Sequence, residues 1–323
     1  MIHGIIHGCS VDGDGSGHLL EGEELSRLIK DDQLAWVHLD ANDPASEVWL
    51  KREVSYLDEI IIDALLEDET RPRILEHGDG VLMILRGVNL NENAQPEDMV
   101  SIRMWIDKNR IISIQRRNLK ATKDIQTKLL EGTGPKNSGE FAVMLIGRLI
   151  ERMEPVFVGL DEVLDDIEED MVDGTSSDQR YVIANIRKQA IIFKRYITPQ
   201  RDVIAQLRRD EFDWLDETHK RKLQEILDRI IRYTEDLDMI RERAQIIKDE
   251  IANIYADRMN RNMYVLSVIA AIFLPLGFLT GLLGINVGGI PGADNSNSFL
   301  IFCGILIAIV IGQIALFKKM KWF

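Results

Sequence analysis

The tripeptide Gly284-Ile285-Asn286 carries the most specific chemistry in this sequence. It follows an uncharged, mostly apolar run of 21 residues, 263–283, and opens the loop GINVGGIPGADNSN. A side-chain carboxamide and exposed backbone carbonyls are neutral groups that can grip or replace a cation's hydration shell. The same residues also suit a plain turn, since Gly ends helices and Asn tolerates left-handed dihedrals. Both readings stand on these residues alone. Asp294, the one charged residue of the loop, would concentrate cations at that mouth.

Two N-terminal groups have ligand chemistry. Asp12, Asp14, Ser16, Gly17, His18 and Glu23 match the spacing of an EF-hand calcium loop. That motif needs a helix on each side, whereas the preceding residues read as a strand and Leu20 stands where an oxygen ligand belongs. His3, His7 and Cys9 alternate onto one face of that strand and are soft enough for zinc. They become a metal site only where adjacent strands supply the geometry; otherwise strand histidines are structural.

The elements that position the tripeptide are two apolar spans. A helix needs about 20 apolar residues to cross the ~30 Å hydrocarbon core. Residues 263–283 meet that length, and 298–317 form a second run of 20 residues. Arg258 and Arg261 precede the first run, Lys318, Lys319 and Lys321 follow the second, and the loop has neither Lys nor Arg. By the positive-inside rule both termini are cytoplasmic and the loop faces outward. No charged residue lies inside either run, so neither offers an ion-binding carboxylate within the bilayer. Two spans give too little wall for a pore, which therefore requires several copies about an axis.

Ahead of the spans, residues 1–135 read as an α/β domain. Strands are expected at 2–7, 36–39 and 81–85, and a helix at 44–66 carrying Val48, Val54, Leu57, Ile61 and Leu65. Residues 101–106 and 110–114 form a hairpin around Asp107-Lys108-Asn109, with a positive φ in its turn. Residues 136–262 read as helices: 141–172, then 177–210 with Pro199 expected to kink or divide it. A third begins near Asp216 with no stop before Gly284. Its residues Leu223, Ile226, Ile230, Tyr233, Leu237, Ile240, Ala244, Ile247, Ile251 and Ile254 keep heptad spacing, predicting a long, supercoil-like packing seam. A stalk of that length entering a membrane calls for stabilisation by more than one subunit.

The formal net charge of −14 falls almost entirely ahead of the spans. It argues against nucleic acid and anionic lipid surfaces and suits either a cation-handling or simply a soluble domain. Residues 161–173 hold eight carboxylates in thirteen positions, by default a solvated helix face. Cys9 and Cys303 fall in different compartments, so no disulfide framework is expected, and the N-terminus lacks the basic and apolar regions of a cleaved signal. No Ser/His/Asp set, Walker loop or dinucleotide fingerprint occurs, so no enzyme and no catalytic residue are expected.

Pro275, the run PLGFLTGLLGIN, the short outward loop, the second span and the tail KKMKWF together resemble the CorA-type divalent-cation transporters. That family is marked by Gly-Met-Asn at the end of the first of two spans. The variant Gly284-Ile285-Asn286, followed by Val-Gly-Gly-Ile-Pro-Gly, is similar to the ZntB branch, associated with zinc transport. The resemblance implies an α+β membrane protein: a cytoplasmic α/β domain, a long helical stalk and two C-terminal transmembrane helices, assembled as a funnel-shaped homopentamer in a bacterial inner membrane. It makes Gly284, Ile285 and Asn286 the selectivity filter, residues 284–297 a periplasmic loop with Asp294 at the outer mouth, and residues 318–323 a basic cytoplasmic tail. The pore would be lined by Asn260, Met263, Leu266, Ser267, Ala270, Leu274 and Gly277, with the second span toward lipid. The partners implied are other copies of the chain, the lipid bilayer and the transported divalent cation, zinc preferred, with no resident cofactor. Members of the branch couple zinc to protons; Asp257, one turn before Asn260, is the titratable group nearest that face. A magnesium or cobalt channel is the alternative within transport. The alternative from another class is a two-span sensor or scaffold, for which a fourteen-residue loop is almost no receptor.

Overall fold

A computed structural model of the chain describes residues 4–30, 33–68, 71–173, 177–284, 290, 292 and 295–320. The chain divides into two compact units, Met1–Lys248 and Asp249–Phe323.

In the first unit the strands β1 (Ile5–Ser10), β2 (Ala35–Asp40), β3 (Arg73–His77), β4 (Gly80–Gly87), β5 (Val100–Ile106) and β6 (Arg110–Gln115) form one sheet in the order β1-β2-β6-β5-β4-β3. Only β2 and β6 pair in parallel; every other neighbouring pair is antiparallel. Helices α1 (Gly22–Lys30), α2 (Pro44–Glu53) and α3 (Glu59–Leu66) bury Leu25, Leu28, Trp49, Leu50, Ile61 and Leu65 against Val37, Leu39, Leu82 and Ile112. On the opposite face α5 (Ser138–Glu151) and α7 (Ser177–Arg209) pack on the sheet, and α4 (Lys120–Leu130) packs against α5. A sheet covered on both faces explains why Val81 to Leu85 and Ile111 to Ile114 are nearly unbroken apolar runs rather than alternating ones.

Several boundaries differ from the sequence expectation, each for a local reason. The first strand runs on to Ser10 instead of stopping at His7, because Gly8 is a packing residue and not a terminator: a Cβ there would lie 2.7 Å from Leu25 Cδ1. The helix expected at 44–66 is two helices. Val54 leaves helical geometry at φ −114°, and a turn closed by Leu57 N–H donating to Val54 O lets α3 start afresh after Asp58. The break brings Val54, Leu57 and Ile61 into the same apolar cluster as Trp49. In the β5–β6 turn Asn109 does not take a positive φ; Asp107 Oδ1 instead accepts from the N–H groups of Asn109 and Arg110, each at 2.9 Å.

The helix expected at 141–172 is α5 followed by α6 (Glu154–Asp173), because Pro155 belongs in a first helical turn. Arg152 in the joint makes hydrogen bonds of 2.7 and 2.9 Å to Asp124. Conversely, Pro199 does not divide α7. The adjoining Gln200 is buried and its Oε1 accepts from Arg86 N at 2.7 Å, pinning that part of the helix to β4.

The last two helices are α8 (Glu217–Leu283), 67 residues long, and α9 (Ser298–Lys319). The heptad positions from Leu223 to Ile247 are buried within the single chain. Tyr233 packs its ring 5.5 Å from Phe157 of α6 and donates to Glu154 at 3.1 Å. Arg243 reaches Asp161, Asp165 and Glu168 at 2.5, 2.6 and 2.8 Å. The seam expected to need neighbouring subunits is thus, over this stretch, an intramolecular one. Three of the acidic residues on α6 share one guanidinium while their side chains stay largely open to solvent.

Candidate functional site

In the second unit the end of α8 and all of α9 are apolar helices long enough to cross a membrane, with mean hydropathy of 2.3 and 2.8. One side of α8 is covered. Val268 is buried, and Ala271, Ile272, Pro275, Leu276 and Leu279 are half-buried. The partly covered stripe of α9 is Phe302, Cys303, Leu306, Ile309, Val310 and Gln313, ending at buried Phe317. A hydrogen bond of 3.2 Å from Gln313 Nε2 to the carbonyl of Ala271 joins the two helices.

At about 100° per residue, Met263, Leu266, Ala270, Leu274, Gly277 and Gly281 fall on the side of α8 opposite that cover. All six are exposed, Leu274 to 77%. Asn260 and Ser267 are also exposed at the margin of this face. Ser267 and Thr280 turn their hydroxyls back onto the carbonyls of Met263 and Leu276, so the face is uncharged and largely apolar. A Cβ added at Gly277 or Gly281 would meet nothing within 4 Å.

The face ends at Gly284, whose N–H donates to Thr280 O at 3.0 Å and whose φ is not left-handed. A Cβ at Gly284 would lie 2.8 Å from the Thr280 carbonyl oxygen, so this position is reserved for Gly by contact and not by dihedral. Ile285, Asn286 and Asp294 lie outside the described residues. At the far end of the loop Gly292 takes φ 83°, and its carbonyl accepts from Asn295 N–H and from the hydroxyl of Ser298, the first residue of α9.

The N-terminal candidates fall elsewhere. His3 lies outside the described residues. His7 stands opposite His38, and Cys9 opposite Trp36, in the β1–β2 register. The His7 ring is 4.5 Å from Trp36 and 5.0 Å from His38, and Ser113 Oγ accepts from Trp36 Nε1 at 2.7 Å. Burial, and then the neighbouring His38, lower the His7 pKa to about 3, while burial pushes Cys9 up to about 12. These are neutral core groups. Asp14 accepts from the N–H and hydroxyl of Ser16 at 2.8 and 2.6 Å, which closes the turn after β1. Glu23 lies in the first turn of α1, and His18 Nδ1 meets Ser10 Oγ at 2.7 Å. Among the described residues no three His, Cys, Asp or Glu side chains are grouped to hold a metal ion.

The fully buried His38 makes stability fall with acid. Desolvation lowers the His38 pKa from 6.5 to about 4. Below pH 6.5 the unfolded chain binds the proton first, so the His38 contribution is fully present above 6.5 and declines toward pH 4. At about 1.36 kcal/mol per pH unit, His38 alone should cost the fold about 2 kcal/mol on going from pH 7 to pH 5. Tryptophan-fluorescence melting at the two pH values checks this; a His38→Gln variant should show a shallower pH dependence.

An α/β unit, a long helix continuing into an exposed apolar segment and a second apolar helix make a chain with two candidate membrane spans. The family model described as CorA-like Mg2+ transporter protein matches residues 31–319, and the chain belongs to that family. It is 37% identical to the divalent cation transporter CmaX of Pseudomonas aeruginosa over 99% of this chain and 97% of that protein. It is 38% identical to the zinc transport protein ZntB of Pectobacterium carotovorum over 99% of this chain and 96% of that one. The solved structure of full-length CmaX matches with a TM-score of 0.86 at 36% identity, covering 100% of this chain and 99% of that chain.

The sequence reading did not single out Gln313, Arg243 or the group in which Ser113 Oγ meets both Trp36 Nε1 and His38 Nδ1 at 2.7 Å. Gln313 had a signal: it is the one amide side chain in 298–317. Arg243 and Ser113 had none, because their partners are distant in sequence.

Proposed function

We propose that this chain carries divalent cations, zinc preferentially, across a bacterial inner membrane as a funnel-shaped homopentamer with both termini cytoplasmic. One observation carries the reading: α8 leaves an uncharged, uncovered face opposite α9, running from Met263 to Gly284. An apolar helix face bare in one chain needs either lipid or other copies against it. Copies arranged about an axis would turn these faces inward, with α9 between them and lipid. The zinc transport function of the ZntB relative and the divalent-cation function of CmaX support the cargo class.

In this reading Gly284, Ile285 and Asn286 form the filter at the outer end, and Asp294 adds charge at the mouth. Asn260, Met263, Leu266, Ser267, Ala270, Leu274 and Gly277 line the path. Without His, Cys or carboxylate on that path, the ion passes at least partly hydrated, its water donating to carboxamide and carbonyl oxygens. Proton coupling, if carried by this chain, would use Asp257, exposed one turn before Asn260. The chain performs no catalysis in this reading, and domain boundaries follow residues 1–135, 136–262, 263–283, 284–297, 298–317 and 318–323.

The family description names magnesium and the relatives name zinc or divalent cations in general, so the metal series is the decisive measurement. Purified protein in proteoliposomes should move zinc faster than magnesium or cobalt at equal activity, and mass photometry should give the mass of five chains. Absence of flux for every dication would overturn the transport reading. Magnesium ahead of zinc would overturn the zinc preference, and an active monomer or dimer would overturn the pentamer.

A further inference from the structure

Pro275 has no amide hydrogen to give to the carbonyl four residues earlier in its helix, which is that of Ala271. In a hydrocarbon layer such a carbonyl has no water to turn to. The donor comes from the other span: Gln313 Nε2 lies 3.2 Å from Ala271 O. The two features answer each other. One helix lacks a donor at Pro275, and the other supplies its single amide side chain opposite the orphaned acceptor.

The other half of the same amide argues that the residue is there for placement. Gln313 Oε1 is buried and has no hydrogen-bond partner among the described residues. A leucine would fill comparable space without an unpaired polar atom, so packing by itself does not favour Gln. Ala271 sits on the covered side of α8, and its neighbours Ala270 and Leu274 sit on the bare side. Tying the Ala271 carbonyl therefore fixes how α8 is rotated against α9, and with it which residues face away.

We propose that Gln313 is a positioning residue, a latch that occupies the carbonyl freed by Pro275 and holds the bare face of α8 in the orientation that conducts. The functional part rests on the reading of that face as the ion path; the latch itself does not. The logic predicts a particular rescue. Pro275→Ala restores the missing N–H, so Ala271 O no longer needs Gln313.

The test uses four full-length proteins: wild type, Gln313→Leu, Pro275→Ala and the double variant. Zinc flux per folded copy and thermal melting are measured for each in the same lipid. Gln313→Leu should lower flux roughly threefold to fifteenfold, the span of interhelical hydrogen bonds in membranes. It should lower the melting temperature by about 2–4 °C. In the Pro275→Ala background the same change should alter flux by less than about twofold and melting by under about 1 °C, since the bond it removes is no longer required. Equal losses in both backgrounds, or no loss in either, would overturn the latch. Coupled melting with flux insensitive to Gln313→Leu would overturn its positioning role. Should Pro275→Ala itself abolish flux, the melting cycle decides. Absence of wild-type flux would count against the transport reading while the melting cycle still judges the bond.

Discussion

Asn286→Ala should reduce zinc flux to the background of empty vesicles while leaving assembly and melting temperature unchanged. In the proposed pentamer Asn286 offers one carboxamide per subunit at a mouth where Asp294 is the only charge in the loop. A hydrated dication is held there through hydrogen bonds from its polarised water. A net hydrogen bond to a charged group is worth about 1.5–3 kcal/mol, so losing even one per ion costs about tenfold to more than a hundredfold. An alanine side chain has no acceptor to offer, and a loop side chain of this kind contributes little to folding. Radioactive-zinc uptake in proteoliposomes decides the matter: wild-type flux through Asn286→Ala would mean that the tripeptide is a turn and nothing more. Gly284→Ala should impair flux as well, because its Cβ would press on the Thr280 carbonyl oxygen at 2.8 Å and push the end of α8 aside.

Gly277→Phe should also abolish flux, through obstruction instead of lost chemistry. Nothing in the single chain lies within 4 Å of a Cβ at this position, so a ring there has room to point away from α9 without disturbing the subunit. Around an axis, however, one ring per subunit would converge on the path proposed for the ion. Gly277→Ala is the control. It adds a methyl group to the same open space, should improve helix stability by up to about 1 kcal/mol, and should keep most of the flux. A Gly277→Phe protein of normal mass and melting temperature that still transports zinc would place position 277 away from the path.

Much of the site was legible because membrane burial imposes rules on sequence that need no knowledge of tertiary contacts. Residues 263–283 and 298–317 announced themselves by length and absence of charge, and α8 and α9 occupy those stretches. The α8 face was readable from helical periodicity, since the covered and bare residues separate at the expected angular spacing. The first unit was legible as α/β, because apolar strands flanked by helices can only be a covered sheet. Its joints were harder. The breaks at Val54 and at Arg152–Met153 have no glycine to mark them, and the continuity of α7 through Pro199 overrides a strong local signal.

The sequence by itself determined the two spans, their flanking charges, the position of the tripeptide and the stripe from Leu223 to Ile254, all set by solvent preference and helical repeat. Tertiary structure alone decided what those features touch. It buried the heptad stripe from Leu223 to Ile251, gathered Asp161, Asp165 and Glu168 on Arg243, and set half-buried His7 beside buried His38, with Cys9 buried as well, all as neutral groups. It also set Gln313 against the one carbonyl that Pro275 leaves without a donor. The reason is physical: a periodic pattern states which side of a helix avoids water, whereas a hydrogen bond between residues 42 positions apart depends on where the chain brings its two ends.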